Sequence, residues 1–93
     1  MLKIRYTKQF KKDFKRVKSQ GLAEKDIKEL NAIIKILAAQ EPLNEKYKDH
    51  PLKGDYIGTR ELHLKPDLLL VYKIKERELM LLLIRLGSHS ELF

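Results

Sequence analysis

The residues of this chain that are best suited to acid–base chemistry lie in its second half. The three histidines, His50, His63 and His89, all occur there, and Asp67 follows His63 by four residues, across a turn at Pro66. Histidine readily gives and takes protons near neutral pH, and a neighbouring carboxylate can orient an imidazole or act as the base itself. If the predicted strands of this half are neighbours, these side chains meet at one acid–base site.

Simpler interpretations of these residues remain open. A single surface histidine is usually only solvated, and an aspartate after a proline is often a turn former. Three histidines and an aspartate also suit zinc, but no tight ligand spacing such as His-x-x-x-His occurs, so we predict no metal and no cofactor. The chain has no cysteine, which excludes thiolate zinc sites and a cysteine nucleophile. It also lacks a glycine-rich phosphate loop.

Two arginines lie within apolar segments that we predict to be strands. Arg60 and Arg85 either face water at a strand edge or face a functional cleft. A guanidinium beside histidines suits a phosphate, which it can bind through two parallel hydrogen bonds. We therefore predict that Arg60 and Arg85 bind a phosphate group.

Positive charge is concentrated at the N-terminus. The formal net charge is +7, and residues 1–18 hold eight cations and one anion. A basic segment of this kind favours a polyanionic partner, such as nucleic acid, a ribosome or an acidic protein, although a solvated helix face explains it equally well. The candidate contact residues share one side of a predicted helix: Lys8, Lys11, Lys12 and Lys15.

The elements that position these residues follow from hydrophobic spacing and turn signals. We predict a single domain over residues 1–93, with a strand at 2–6, a helix from the N-cap Thr7 to Gly21, and a second helix at about 23–39. A loop at 41–55 precedes strands at about 56–64, 68–75 and 79–86. This order, β-α-α-β-β-β, predicts an α+β fold with two helices packed on a small, mostly antiparallel sheet. No segment is typical of a signal peptide or a membrane span, so we expect a cytoplasmic protein.

Four segments of the second half resemble the YafQ family of the RelE/ParE toxin superfamily. They are YKDHPLKG (47–54), RELHLKPD (60–67), LVYK (70–73) and RLGSHSELF (85–93). The resemblance implies a RelE-like fold and an mRNA interferase that cuts codons on translating ribosomes and is neutralised by a co-expressed antitoxin. It implies active-site roles for His50, His63, Asp67 and His89, with Phe93 positioning the RNA. One position departs, because the family's namesake has tryptophan directly after the aspartate and this chain has Leu68.

The expected reaction is metal-independent cleavage of RNA, in which the 2′-hydroxyl is the nucleophile. We expect His89 to act as general acid, Asp67 or else His50 as general base, and His63 and Arg60 to stabilise the phosphate, with Arg85 as a further candidate. The products would be a 2′,3′-cyclic phosphate and a 5′-hydroxyl. The lysine-rich helix would contact ribosomal RNA, and an apolar sheet face would receive the antitoxin.

Two alternatives stay open within the same fold. A ParE-like toxin would inhibit DNA gyrase without cutting RNA, and it would not need this set of histidines. A non-catalytic module would bind RNA or a partner only.

Overall fold

The first half of the chain folds as its apolar spacing predicts. In the computed structural model, which describes all of residues 1–93, β1 spans Lys3–Tyr6, α1 spans Lys8–Ser19 and α2 spans Glu24–Ala38. The Thr7 hydroxyl accepts a hydrogen bond from the Phe10 amide at 2.9 Å, which confirms the predicted N-cap. Gly21 has a φ of +101°, a conformation that glycine adopts without steric cost, and it separates the two helices.

The second half contains more elements than predicted. A two-residue strand β2, His50–Pro51, lies in the segment expected to be a loop, and β3 spans Arg60–Lys65. The predicted start of that strand at residue 56 is wrong, because Gly54–Tyr56 forms a single 3-10 turn and Gly58 has a φ of +92°. The next two strands are close to prediction, with β4 at Leu68–Lys75 and β5 at Met80–Gly87.

A short helix that the sequence analysis did not predict closes the chain. This helix, α3, spans His89–Leu92 and begins with a capping box. The Ser88 hydroxyl accepts from the Glu91 amide, while the Glu91 carboxylate accepts from the Ser88 amide at 2.9 Å. The Ser-x-x-Glu spacing was the available signal for a helix start.

The five strands form one sheet in the order β1-β5-β4-β3-β2. β1 pairs with β5 in parallel, and the other three pairs are antiparallel. Two helices packed on a mostly antiparallel sheet confirm the predicted α+β class. No helix is long and apolar enough to cross a membrane.

The two faces of the sheet differ in chemistry. The face covered by α1 and α2 contains the main core, whose strand residues include Leu62, Leu70, Tyr72 and Leu83. The opposite face has only a small apolar cluster of Leu69, Val71 and Leu92 beneath α3. Because side chains alternate along a strand, Glu61 and His63 lie on this second face, which we call the open face.

A buried carboxylate fixes α1 to the sheet. Asp13 is fully buried and accepts hydrogen bonds from Arg85 Nε at 2.8 Å, the Leu86 amide at 3.0 Å and Arg16 Nη1 at 2.8 Å. Burial alone would raise the pKa of Asp13, but the hydrogen bonds from Arg85, Leu86, Gln9 and Arg16 outweigh it and lower that pKa to about 2. Asp13 is therefore a permanent anion between the helix and β5.

Candidate active site

A histidine–carboxylate pair lies at the edge of the open face. The pairing of β2 with β3 places His50 opposite Glu61, and His50 Nε2 lies 3.0 Å from a carboxylate oxygen of Glu61. His50 Nδ1 lies 2.7 Å from the Lys48 carbonyl oxygen. Since a carbonyl oxygen only accepts, Nδ1 is the donor of this hydrogen bond, and Nε2 faces the Glu61 carboxylate. The pair therefore places an imidazole nitrogen beside a carboxylate, an arrangement that suits proton transfer.

His63 lies beside this pair. It follows Glu61 by two residues on β3, so both side chains are on the open face. The ring centroids of His50 and His63 are 6.2 Å apart, and one ligand atom from each of His50, Glu61 and His63 lies within 4.8 Å of the other two. His63 Nδ1 makes a long contact of 3.4 Å with the Pro66 carbonyl oxygen.

Glu61 was not among the predicted site residues. It is 6% exposed, and its Oε1 atom is buried without a hydrogen-bond partner. A buried carboxylate oxygen without a partner is unfavourable unless a ligand or a proton supplies one. The signal that could have found Glu61 was its place two residues before His63, which puts both side chains on one face.

Asp67 and His89 form a second group at the start of α3. The Asp67 Oδ1 atom accepts a hydrogen bond from the His89 backbone amide at 3.1 Å. The exposed His89 ring packs against Phe93 with a centroid distance of 5.2 Å, and Phe93 contacts Tyr56 edge-on at 5.1 Å. The Tyr56 hydroxyl donates to the Leu92 carbonyl oxygen at 3.3 Å. This network fixes α3, and with it His89, on the open face.

The two groups lie on the same face, separated by one strand. His63 pairs with Leu69 of β4, and Leu69 pairs with Gly87 of β5, two residues before His89. Neighbouring strands are about 4.8 Å apart, so the backbones of His63 and Gly87 are roughly 10 Å apart. The structure thus brings His50 and His63 together, and Asp67 and His89 together, on one surface. Their catalytic roles stay predictions.

Arg85 joins this face, and Asp13 orients it. Arg85 pairs with Val71, in the row that also contains Glu61 and His50. Its Nε and Nη2 atoms donate to the Asp13 carboxylate at 2.8 and 3.2 Å, and these hydrogen bonds raise the pKa of Arg85. The side chain is 22% exposed. A fixed cation therefore lies in line with the histidine–carboxylate pair.

Arg60 does not lie beside the histidines, contrary to the expectation that it helps His63 to stabilise the phosphate. It precedes His63 by three residues on β3, and alternation turns it toward the face covered by the helices. There its Nε donates to Asp49 at 3.1 Å, and Asp49 also accepts from the Tyr72 hydroxyl at 2.7 Å. The sheet separates Arg60 from the candidate site.

The lysines of α1 also lie away from the open face. All four predicted contact residues are exposed: Lys8, Lys11, Lys12 and Lys15. They extend from the helix layer on the other side of the sheet. Lys11 and Lys15 border an apolar groove of about 440 Å³, which we call the helix groove; its apolar walls are Tyr6, Phe10, Phe14, Leu30 and Ile34.

Comparison with known proteins identifies the family. The sequence profile of a bacterial toxin of the type II toxin–antitoxin system, YafQ, matches residues 2–93. This chain belongs to the YafQ family. The mRNA interferase toxin YafQ of Escherichia coli K12 is 36% identical over 91 residues, which cover 97% of this chain and 94% of the relative.

Two solved structures show the same fold. A metal-bound toxin from Helicobacter pylori is 54% identical, with a TM-score of 0.91 and all of both chains covered. YafQ in the E. coli DinJ–YafQ complex is 34% identical, with a TM-score of 0.85 and 100% of this chain and 99% of that chain covered. The predicted RelE-like arrangement is thereby confirmed.

The position where this chain departs from the family's namesake does not face the site. Leu68 is 7% exposed and belongs to the main core beneath the helices. Asp67 directly before it reaches the amide of His89 instead. The side chain at position 68 therefore contributes to core packing.

Proposed function

We propose that this chain is an endoribonuclease that cleaves mRNA on the ribosome as the toxin of a type II toxin–antitoxin pair. The observation that carries the proposal is the open face, where the His50–Glu61 pair and the exposed His89 lie on either side of His63 and Arg85. A relative of similar length is named as an mRNA interferase. Such a face suits a phosphodiester whose attacking 2′-oxygen lies near one of these groups and whose departing 5′-oxygen lies near the other.

The reaction begins with the RNA's own 2′-hydroxyl. The His50–Glu61 pair accepts the proton of this hydroxyl as its oxygen forms a bond to phosphorus. The sequence left His50 and Asp67 open as the general base. We favour His50, together with Glu61, because one Asp67 oxygen already accepts a hydrogen bond from the His89 amide. His50 is the more exposed member of the pair, and Glu61 lies 3.0 Å from its Nε2 atom, where it can share the proton that the pair accepts.

Charge stabilisation and leaving-group protonation come from the other residues. His63 and Arg85 lie where negative charge grows on the phosphate oxygens, and Asp13 holds Arg85 in place before substrate arrives. His89 donates a proton to the departing 5′-oxygen as its bond to phosphorus breaks. The products are a 2′,3′-cyclic phosphate and a 5′-hydroxyl, and the scheme uses no metal.

The same residues fit a metal ion, which agrees with the metal-bound state of the H. pylori relative. Two imidazoles and a carboxylate suit zinc or copper, and the ligand atoms of His50, Glu61 and His63 are within 4.8 Å of one another. A divalent cation there would neutralise the Glu61 charge. It would also occupy the lone pairs that proton transfer needs, so we propose that metal binding and RNA cleavage compete.

The experiment that tests the nuclease function uses the purified chain with ribosomes, message and primer extension, with and without a chelator. We expect metal-independent cuts that end in a cyclic phosphate, and their loss in His89→Ala. If the wild-type chain leaves the message uncut, the proposal is refuted. Inhibition of DNA gyrase in a supercoiling assay would then favour the ParE-like alternative, and RNA binding without cleavage would favour the non-catalytic module.

We further propose a cognate antitoxin as partner, as DinJ is for YafQ in the E. coli complex. The sequence analysis expected it on an apolar sheet face, but the open face is polar and the helix groove is the larger apolar surface. Lys11 and Lys15 border this groove, which favours an amphipathic helix with acidic residues beside its apolar ones. Because translating ribosomes are the proposed substrate carriers, the cytoplasm is the expected compartment.

A further inference from the structure

A second polar pocket opens directly beside the candidate active site. It has a volume of about 340 Å³ and lies between the outer edge of β3 and the single 3-10 turn Glu45–Tyr47. His63 forms one wall, so the pocket and the histidine site share a side chain. The remaining lining residues, which include three lysines, are Glu29, Lys46, Tyr47, Lys48, Leu64, Lys65 and Pro66. We call it the lysine pocket.

The charges in the lysine pocket are not all free. Lys65 Nζ lies 3.1 Å from the buried carboxylate of Asp26, which neutralises it. Glu29 accepts a hydrogen bond from the Tyr47 hydroxyl at 2.7 Å, and this bond raises the pKa of Tyr47 to about 12. Both acidic groups near the pocket are therefore occupied by fixed partners.

Two ammonium groups remain without an anionic partner. Lys46 and Lys48 are exposed and take part in none of the ion pairs of the structure. Lys46 Nζ lies 5.1 Å from the centroid of the Tyr47 ring, whose position the bond to Glu29 fixes. A polar pocket with two free cations and an aromatic wall suits a nucleotide phosphate.

The backbone connects this pocket to the catalytic pair. Lys48 has a φ of +50°, a conformation that residues other than glycine rarely adopt, and it caps the 3-10 turn. Its carbonyl oxygen accepts from His50 Nδ1 at 2.7 Å. Lys48, which lines the pocket, thus also orients the imidazole that we assign to the 2′-hydroxyl.

We propose that the lysine pocket binds the RNA phosphate immediately 5′ of the nucleotide that supplies the attacking 2′-hydroxyl. This inference rests on the proposed function. The pocket is assigned to the 5′ side of the RNA because the group that accepts the 2′-hydroxyl proton must lie next to the attacking nucleotide. Lys48 is close in the chain to His50, which belongs to that accepting group. The departing 5′-oxygen belongs to the nucleotide on the 3′ side, which lies toward His89, across β4 on the same open face.

The test uses a dinucleotide that cannot be cleaved because its first sugar carries a 2′-O-methyl group, with and without a 5′-phosphate. The 5′-phosphate stands in for the upstream phosphodiester. In titration calorimetry with the full chain, we expect the phosphorylated form to bind about tenfold more tightly. In Lys46→Gln/Lys48→Gln this advantage should vanish, and the salt slope of log K should flatten by about 0.7 for the one phosphate lost.

A matched variant separates a built site from general attraction. Lys28→Gln/Lys35→Gln removes the same charge from exposed positions of α2, in the helix layer on the other side of the sheet, and it should keep the phosphate advantage. Equal losses in both double variants, an unchanged advantage in the Lys46/Lys48 variant, or no measurable binding of the phosphorylated form to the wild type would each overturn the inference.

The proposed function fails separately from this subsite. If His89→Ala and His50→Gln cleave message on ribosomes as the wild type does, the catalytic assignment is wrong whatever the dinucleotides show. If both histidine variants are inactive while Lys46→Gln/Lys48→Gln keeps the phosphate advantage, only the subsite is wrong.

Discussion

Asp13 is the residue whose replacement has the effect most directly calculable from the structure. It is fully buried, and its two oxygens accept from two guanidinium groups, the Leu86 amide and the Gln9 side chain. In Asp13→Asn one oxygen becomes an amide group, which donates hydrogen bonds where its neighbours also donate. We expect the free energy of unfolding to fall and the fold to be retained in the absence of denaturant.

The magnitude follows from the pKa and from the lost acceptor. Folding lowers the pKa of Asp13 from 3.8 to about 2, and at about 1.4 kcal/mol per unit the charge stabilises the fold by ~2 kcal/mol at pH 7. An unsatisfied buried donor costs a further ~1–3 kcal/mol. The total loss of roughly 3–5 kcal/mol corresponds to a fall in Tm of at least about 12 °C for a domain of this size.

The charge contribution has a specific pH window. Because the folded pKa lies below the unfolded value, the stabilisation is fully present above about pH 4 and is lost as the pH falls through about 2. Urea unfolding followed by circular dichroism at pH 7, 4, 3 and 2 should show the gap between wild type and Asp13→Asn narrowing by ~2 kcal/mol. The control is Asp55→Asn at an exposed turn position, which should change stability by less than ~0.5 kcal/mol at every pH. A gap below ~1 kcal/mol at pH 7, or one that stays constant down to pH 2, would refute the reasoning.

Three further predictions concern function. His89→Ala and Glu61→Gln should each lower the rate of message cleavage about 10²–10⁴-fold without lowering Tm by more than a few degrees, as measured by primer extension and thermal unfolding; full activity in either removes that residue from the mechanism. Zinc ions added in slight excess should inhibit cleavage and raise Tm, and both effects should disappear in His63→Ala; activation by zinc would contradict the proposed competition. Phe14→Asp should weaken antitoxin binding in calorimetry but leave cleavage intact, and unchanged antitoxin affinity would mean that the helix groove is not the antitoxin site. A variant in which glutamine replaces Lys8, Lys11, Lys12 and Lys15 should show weaker co-sedimentation with ribosomes and a weaker dependence of that co-sedimentation on salt. Unchanged co-sedimentation would mean that these lysines do not contact the ribosome.

Local patterns were sufficient to determine most of the elements. The spacing of Phe10, Phe14 and Val17, with Thr7 before them, predicts α1, and the structure has it with the cap in place. The bounds of β4 were predicted correctly from its apolar run. A strand that is buried on both faces is apolar throughout, so its sequence is sufficient to predict it without knowledge of the strands that it pairs with. The motifs around the histidines were also sufficient to identify the YafQ family, since they depend on residue identity and not on distances.

The pairing of His50 with Glu61 depends on tertiary structure. β2 has only two residues, one of them proline, so no local pattern distinguishes it from a loop. Its partner lies eleven residues away on β3, and only that pairing turns a glutamate of an apolar strand into a member of the site. Asp13 is similar, because in the sequence it is one anion in a basic helix, and packing against β5 makes it the ligand of Arg85.

The two arginines show where the boundary between sequence and tertiary structure lies. Arg60 is an even number of residues from Leu62 and Leu64, so the alternation of side chains along a strand already placed it on the core face, away from His63. Arg85 is an even number of residues from Leu81 and Leu83, so the same alternation predicts the core face for Arg85 as well. A bulge at Ile84 shifts the register, so that Tyr72 pairs with Leu83 while Val71 pairs with Arg85. One extra residue reverses the side on which every later side chain lies, and a bulge depends on strand pairing that the sequence does not display.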